Sequence, residues 1–415
     1  MQEITRPTVM EINLSNLKHN IEQIKKQVEK EIQIMPIIKA NAYGTNINKR
    51  LEILNQFEIV GVAIVDEGVA LRNLGYKKEI FVLNQPAESE IQKISENNLI
   101  IGLSSIHFLE EAKRQNKQIR AHLEIETGMG RTGLMSHQID EYIKELKNVS
   151  NIKVEGIYSH LSTADIDKEY TEKQIEIFDK AIEKIQSQIH DIKYIHISAS
   201  NGIINYPSNK YNLVRAGMIM YGYESGEGIK DKIDLKPVCK LKSKITFLKE
   251  VEEGTSISYG RTFITKRKSK IATIPIGYAD GLRRNLSNKG YVVINEKRVP
   301  IVGSICMDGF MADVTDLENV EIGNDVYIWD NEIVTVEEIA NLSGTINYEI
   351  LCTISERVPR MYKWCFLGLS QKRMMFFGTD LKSIINIKGR MHFCSVPKVY
   401  QKFIFSFYHH LLKLL

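Results

Sequence analysis

The sequence predicts an α/β protein: a (β/α)8 TIM-type barrel followed by a smaller, mostly β C-terminal domain. Three observations carry this. Residues 14–222 contain eight short apolar runs, continuous rather than alternating, as strands buried on both faces require. Amphipathic stretches separate most of these runs, so the strands read as parallel and helix-connected. Beyond residue 237 the pattern changes to short β-branched runs with turns between them, the mark of a small β domain.

In chain order, Ser15 begins a helical stretch that continues to about residue 30. The eight runs follow at 35–40, 57–66, 79–84, 98–104, 119–127, 154–162, 193–200 and 213–222. Helical patterns lie at 66–75, 86–97, 106–117, 137–149 and 171–190. Gly and charged residues from Glu224 to Lys236 read as a linker. The β runs of the second domain are 241–248, 256–259, 270–276, 290–294, 299–306, 310–314 and 325–329. The expected domains are therefore 1–232, 233–362 and a basic, aromatic-rich extension, 363–415.

With 415 residues, 43% hydrophobic and 26% charged, the composition is that of a soluble protein able to bury sizeable cores. Net charge is +4, but residues 363–415 hold nine Lys or Arg against Asp380 alone, which leaves the preceding body acidic. That body has no basic excess to suggest a nucleic-acid partner. Met1–Pro7 lacks the apolar core of a signal peptide, and no run reaches the roughly 18 apolar residues that span a bilayer. Cys239, Cys306, Cys352, Cys365 and Cys394 are scattered and odd in number, which fits reduced thiols, a cytoplasmic location and no metal site. The apolar end of the extension, Phe403–Leu415, could touch a membrane surface. The preferred reading is a non-functional extension, as an altered reading frame would produce.

A barrel carries its chemistry at the C-terminal ends of its strands. Lys39 ends the first run, Met35-Pro36-Ile37-Ile38-Lys39-Ala40-Asn41-Ala42-Tyr43-Gly44. A desolvated lysine there sheds its charge and can form a Schiff base with a carbonyl cofactor such as pyridoxal phosphate. On position alone, a solvent-facing lysine at a strand end fits as well. Other polar residues gather at the same rim: Thr127-Gly128-Met129-Gly130-Arg131, His160, Ser200-Asn201-Gly202 and Arg215-Ala216-Gly217-Met218. Loops after the last two strands of such barrels often bind phosphate, and Ser200, Gly217 and Met218 fit that role.

Several long motifs in order resemble the alanine racemase family. They are Ile38–Gly44, Thr127-Gly128-Met129-Gly130-Arg131-Thr132-Gly133, Ser258-Tyr259-Gly260-Arg261-Thr262-Phe263, Pro275–Gly281, Cys306-Met307-Asp308 and Ile346-Asn347-Tyr348-Glu349. The resemblance spans about residues 6–362. It implies a pyridoxal 5′-phosphate enzyme that interconverts L- and D-alanine by two bases and supplies D-alanine for peptidoglycan. Lys39 would hold the cofactor as an aldimine and serve as base for the D-enantiomer. Tyr259, arriving from the partner subunit of a homodimer, would serve the L-enantiomer. A tyrosine phenol ordinarily keeps its proton at neutral pH, and the family supplies a hydrogen-bonded chain to the counterparts of His160 and Arg215. Arg215 would also face the pyridine nitrogen, where a guanidinium cannot donate its proton. Tyr43, Ser200, Tyr348 and the backbone of Gly217 and Met218 would hold the phosphate. Arg131 and the partner's Met307 backbone would take the substrate carboxylate. Tyr278 and Arg284 match a polar corridor to the site.

Two positions depart from the family pattern. Glu124 stands where many members carry a carbamylated lysine that orients the arginine equivalent to Arg131. The acid keeps the sign of charge on a shorter side chain, so Glu124 would act on Arg131 indirectly, through a bridging water or anion. Ser304 stands where many relatives have Arg, which alters the corridor's charge. Competing readings are a serine or broad-spectrum racemase, a decarboxylase of basic amino acids on the same architecture, and a non-catalytic pyridoxal-phosphate carrier. The Tyr259 segment with Arg215 favours racemisation over decarboxylation, and the second domain argues against a carrier.

Overall fold

The computed structural model describes residues 5–224, 226, 228–229 and 231–364; apart from Lys363 and Trp364, the basic extension read in 363–415 lies outside them. The first strand, β1 (Val9–Asn13), leads into a helix, Leu14–Gln27. The Asn13 side chain starts that helix by accepting the N–H groups of Ser15 and Asn16, a cap worth about 1 kcal/mol. Leu14, Leu17, Ile21 and Ile24 form its buried face at helical spacing.

Eight short strands follow: β2 (Gln33–Pro36), β3 (Ile59–Val62), β4 (Glu79–Val82), β5 (Ile100–Leu103), β6 (Ile119–Glu124), β7 (Ile152–Tyr158), β8 (Tyr194–His196) and β9 (Leu213–Ala216). β3 through β8 form one parallel sheet in sequence order, and β2 pairs in parallel with β9. Two seams close the ring. Ile38 N–H donates to Gly61 O at 2.8 Å, and Arg215 N–H donates to Ser198 O, just past β8, at 3.0 Å. The predicted barrel is therefore present. Its helices, including Val65–Asn73, Ile106–Gln115, Ile139–Leu146 and Lys168–Gln186, fall within a few residues of the predicted stretches.

The second domain contains β10 (Cys239–Lys244), β11 (Phe247–Val251), β12 (Ser256–Ile257), β13 (Phe263–Ile264), β14 (Ser269–Ile274), β15 (Tyr291–Ile294), β16 (Lys297–Val302), β17 (Phe310–Asp313), β18 (Asp325–Trp329) and β19 (Arg360–Lys363). Among the described residues, nine strands form one sheet in the order β11-β14-β17-β16-β15-β18-β10-β1-β19. Two features correct the expectation. β1, counted with the barrel in 1–232, instead lies between β10 and β19, with Val9 opposite Lys242 and Met10 opposite Arg360. The physical reason is Glu11, whose carboxylate pairs with Lys242 at 3.4 Å and Lys363 at 2.5 Å. A strand with one charged face suits this sheet, where lysines of both neighbouring strands pair with it, and not a barrel wall buried on both sides. The domain also holds two helices that the β reading omitted, Val336–Ser343 and Asn347–Cys352.

Candidate active site

Barrel pairing ends at Ile38, and Lys39 is the next residue. The backbone then turns left-handed: Ala40, Asn41, Ala42 and Tyr43 all have φ of 52–53°. Left-handed L-residues cost roughly 1–2 kcal/mol each, so the turn must be held by its surroundings. Glu67 accepts the Ala40 N–H at 2.6 Å, Gly44 N–H returns to Ala40 O at 2.9 Å, and Arg360 Nε grips Gly44 O at 2.8 Å. Gly44 must be glycine: its φ is 77°, and a Cβ there would stand 2.2 Å from Leu351 O. The turn carries Tyr43 back into the barrel mouth. Its ring centroid lies 4.9 Å from that of Tyr221 and 5.9 Å from that of Tyr348.

Burial holds the Lys39 amine below the usual lysine range; Arg131 and, more weakly, Arg215 push the same way, while Cys352 and Glu67 oppose them. Such an amine has a larger uncharged fraction at neutral pH, which suits a nucleophile or base.

Arg215, on β9, is 2% exposed and anchors the floor of the site. Its Nη2 donates to Ser159 O at 2.7 Å, Ile197 O at 2.8 Å and His160 Nδ1 at 3.0 Å. Its Nη1 donates to His196 Nδ1 at 2.7 Å and His196 O at 3.3 Å. Burial lowers its pKa to about 10, which leaves it a cation at neutral pH. Burial, then Arg215, Arg131 and Lys39, push His160 down to about 3, so it is a neutral imidazole.

A small cradle stands beside this group. A Cβ placed on Gly217 would meet Tyr43 Oη at 3.0 Å and Ser200 Oγ at 3.3 Å. Two hydroxyls thus converge on a bare backbone, at the start of the Ser200–Asn205 helix and of the short turn Met218–Tyr221. That is the chemistry of a phosphate site.

Arg131 is exposed on the loop between Glu124 and Leu134. The loop is closed by Leu134 N–H to Glu124 O at 2.8 Å and Glu126 N–H to Leu134 O at 3.0 Å. The Glu126 carboxylate accepts the N–H groups of Gly128 and, at 2.9 Å, Gly130. Glu124 is buried, at 4% exposure, and burial raises its pKa. The expected water or anion link to Arg131 has a covalent alternative: Thr132 Oγ1 donates to Glu124 Oε1 at 2.8 Å, and Thr132 adjoins Arg131.

The structure brings Lys39, Tyr43, Arg131, His160, Ser200, Arg215, Gly217, Met218 and Tyr348 to one rim, with Glu124 behind them. Tyr259 and Met307 do not join that cluster as buried groups; they are 73% and 53% exposed on the second domain. Tyr259 occupies the tip of the β12–β13 hairpin, where Ser258, Gly260 and Arg261 have φ of 64°, 72° and 51°. Ser304 braces this tip: its Oγ donates to Tyr259 O at 3.0 Å, and its carbonyl accepts Ser258 Oγ at 2.6 Å. Met307 O is fixed by Ala279 N–H at 3.0 Å. Tyr278 is 43% exposed nearby in sequence to that contact, and Arg284 begins a short turn, Arg284–Leu286. Sequence reasoning missed Thr132, Glu126, His122 and His196. The last two carried a signal: each is a histidine inside a barrel strand, on a fully buried position.

The description "Alanine racemase, N-terminal domain" matches residues 12–225, and "Alanine racemase, C-terminal domain" matches residues 238–362. This chain belongs to the alanine racemase family. Among its relatives, Alanine racemase 2 of Caldanaerobacter subterraneus subsp. tengcongensis is 39% identical over 86% of this chain and 95% of its own length. Alanine racemase of Methanococcus maripaludis is 40% identical over 86% and 99%. The solved alanine racemase of Clostridium difficile 630 superposes with TM-score 0.82 at 36% identity, covering 87% of this chain and 97% of that one. The Bacillus anthracis enzyme with bound L-Ala-P gives 0.83 at 31% identity, over 90% and 98%. Family membership makes the chain an amino-acid racemase and accounts for the barrel and β domain together.

Proposed function

We propose that this chain interconverts L-alanine and D-alanine on pyridoxal 5′-phosphate, in a homodimer whose active sites each draw on both subunits. The observation that carries the reading is the desolvated Lys39 amine beside Arg131, Arg215 and His160, at the mouth where Tyr43 and Ser200 converge on Gly217. The residues fit the cofactor: two hydroxyls meet a glycine backbone for the phosphate, and an amine of lowered pKa serves the carbonyl. When bound, pyridoxal phosphate would take up the electron pair left by the departing α-proton.

The chain's own groups divide the remaining work. Lys39 Nζ would hold the cofactor and carry the proton on the D face; the partner subunit's Tyr259 Oη would carry it on the L face. Tyr43, Ser200, Tyr348 and the backbone of Gly217 and Met218 would bind phosphate. The hydrogen bonds within the chain use both Nη groups of Arg215, and its Nε–H would serve the cofactor's ring nitrogen. A guanidinium keeps its proton, so that nitrogen would stay unprotonated and side reactions would be restrained. Arg131 and the partner subunit's Met307 backbone would bind the substrate carboxylate, with Glu124 steadying Arg131 through Thr132. Tyr348 with the partner subunit's Tyr259 and the partner subunit's Met307 would bound a small side-chain pocket, which would favour alanine over larger amino acids. The high exposure of Tyr259 and Met307 leaves both side chains open to a partner surface, as the dimer reading requires.

The relatives' names supply the substrate, and solved relatives include a complex with cycloserine and one with bound L-Ala-P. Free Cys239, Cys306 and Cys352 fit a reducing, cytoplasmic setting, where D-alanine would serve peptidoglycan synthesis. Among the described residues no helix is long and apolar enough to cross a membrane. The test is direct: incubate the purified protein with pyridoxal phosphate and L-alanine and quantify D-alanine. Absence of D-alanine, despite a cofactor absorbance band that disappears in Lys39→Ala, would replace this reading with a non-catalytic carrier.

A further inference from the structure

We propose that His122, buried inside the barrel and remote from the rim, is a positioning residue for racemisation: its Nδ1 fixes the tautomer of His196 and thereby the hydrogen bond that holds Arg215. The inference rests on the role given to Arg215 under the proposed function.

The polarity of one contact fixes the others. Arg215 Nη1 lies 2.7 Å from His196 Nδ1. A guanidinium only donates, so His196 Nδ1 must present its lone pair. A neutral imidazole then carries its proton on Nε2. That nitrogen lies 2.9 Å from His122 Nδ1, which must accept. The His122 proton is forced in turn onto Nε2. That atom is buried and has no hydrogen-bond partner among the described residues. Arg215 Nη2 imposes the same rule on His160, whose Nδ1 accepts at 3.0 Å and whose proton is therefore on Nε2. The two imidazoles on the guanidinium and the third behind His196 therefore share a single polarity.

The cost of this arrangement falls on His122. Its ring is fully buried and stacks on Phe81 at 4.6 Å and 23°. A phenylalanine could make the same stack without leaving a donor unsatisfied. β7 also gives up a side chain to admit the ring, because a Cβ on Gly156 would stand 2.6 Å from His122. The feature that an imidazole adds is an acceptor facing His196 Nε2–H. Packing keeps the His196 ring from turning to find another: Tyr158 stacks on it at 5.2 Å and 11°, and Phe81 meets it edge-on at 5.4 Å. Without that acceptor the proton is free to move to Nδ1, where it would point at the Arg215 cation.

Two measurements test this. In holoenzyme labelled with ¹⁵N-histidine, NMR should show His122, His160 and His196 neutral with the proton on Nε2; a proton on His196 Nδ1 overturns the proposal without any variant. In His122→Phe, kcat should fall about tenfold in both directions with KM within about twofold, as for loss of one hydrogen bond beneath a charged group. The His196 resonances should shift toward a tautomer mixture. His122→Asn, whose Oδ1 can replace Nδ1 as acceptor, should recover most of kcat. Wild-type kcat in His122→Phe, or no recovery in His122→Asn, overturns the proposal. Failure of the wild-type holoenzyme to form D-alanine would instead overturn the reading of the site, whatever the tautomers.

Discussion

Replacing Arg215 with lysine keeps the charge and removes the geometry. The guanidinium makes five hydrogen bonds of 2.7 to 3.3 Å, to His196 Nδ1 and O, Ser159 O, Ile197 O and His160 Nδ1. A lysine offers three donors from one atom, so at least two of these buried acceptors lose their partner. Hydrogen bonds to charged groups are worth about 1.5–3 kcal/mol each, which gives about 3–6 kcal/mol of lost stability. That is a large share of the roughly 5–15 kcal/mol typical of a folded domain. Urea unfolding of Arg215→Lys and wild-type apoprotein, followed by circular dichroism, measures the difference. The kcat of the variant should also fall by about a hundredfold or more, as the His160 contact and the proposed ring-nitrogen contact are both lost. An unfolding free energy within about 1 kcal/mol of wild type would refute the view that Arg215 is a multiply bonded anchor.

Acid should destabilise the protein through its buried imidazoles. Burial pushes His122 and His160 down to about 3 and His196 well below its usual value, so the unfolded chain takes up protons below about pH 6.5 that the folded chain refuses. Stability is therefore present above that pH and is lost as pH falls toward 3. The raised carboxyl of Glu124 acts in the opposite sense. His122→Phe should flatten the loss between pH 5.5 and 4.5 by about 1.4 kcal/mol per pH unit relative to wild type; an unchanged slope contradicts the buried neutral state. Glu124→Leu, which deletes the acceptor for Thr132, should raise KM for alanine about tenfold, and Glu124→Gln, which keeps an acceptor, should cost less; full activity in both would remove Glu124 from the site. Ser304→Ala should lower kcat about three- to tenfold by freeing the Tyr259 tip, with cofactor affinity unchanged; an altered cofactor affinity alone would contradict the assignment.

How legible the fold and site were in the sequence depended on which signal each element carried. The barrel strands were readable because burial on both faces leaves continuous apolar runs. β1 was not read as a strand, and the bounds 1–232 counted Val9–Asn13 with the barrel, because it precedes the barrel in the chain while Glu11 finds its lysines more than 200 residues away. The helix bearing Tyr348 was hidden among β runs, with six residues and no side-chain cap at its start. The left-handed turn after Lys39 has no local signal beyond Asn41 and Gly44, since alanine and tyrosine rarely adopt that backbone. His122 and His196 are separated by 74 residues, and only closure of the barrel puts them in line with Arg215. For Glu124, the family resemblance pointed to Arg131, while the folded loop supplies Thr132 one residue later.

The central claim is that Lys39 of one subunit works with Tyr259 of the other. Complementation tests it most directly. Lys39→Ala and Tyr259→Phe proteins, each inactive or nearly so alone, are mixed in equal amounts under subunit exchange and assayed for D-alanine from L-alanine. In a mixed dimer one site collects both lesions and the other is intact. Random exchange should then restore roughly a quarter of wild-type activity. No recovery, with mixed dimers verified by mass, would place both residues in a site built from a single chain and contradict the account.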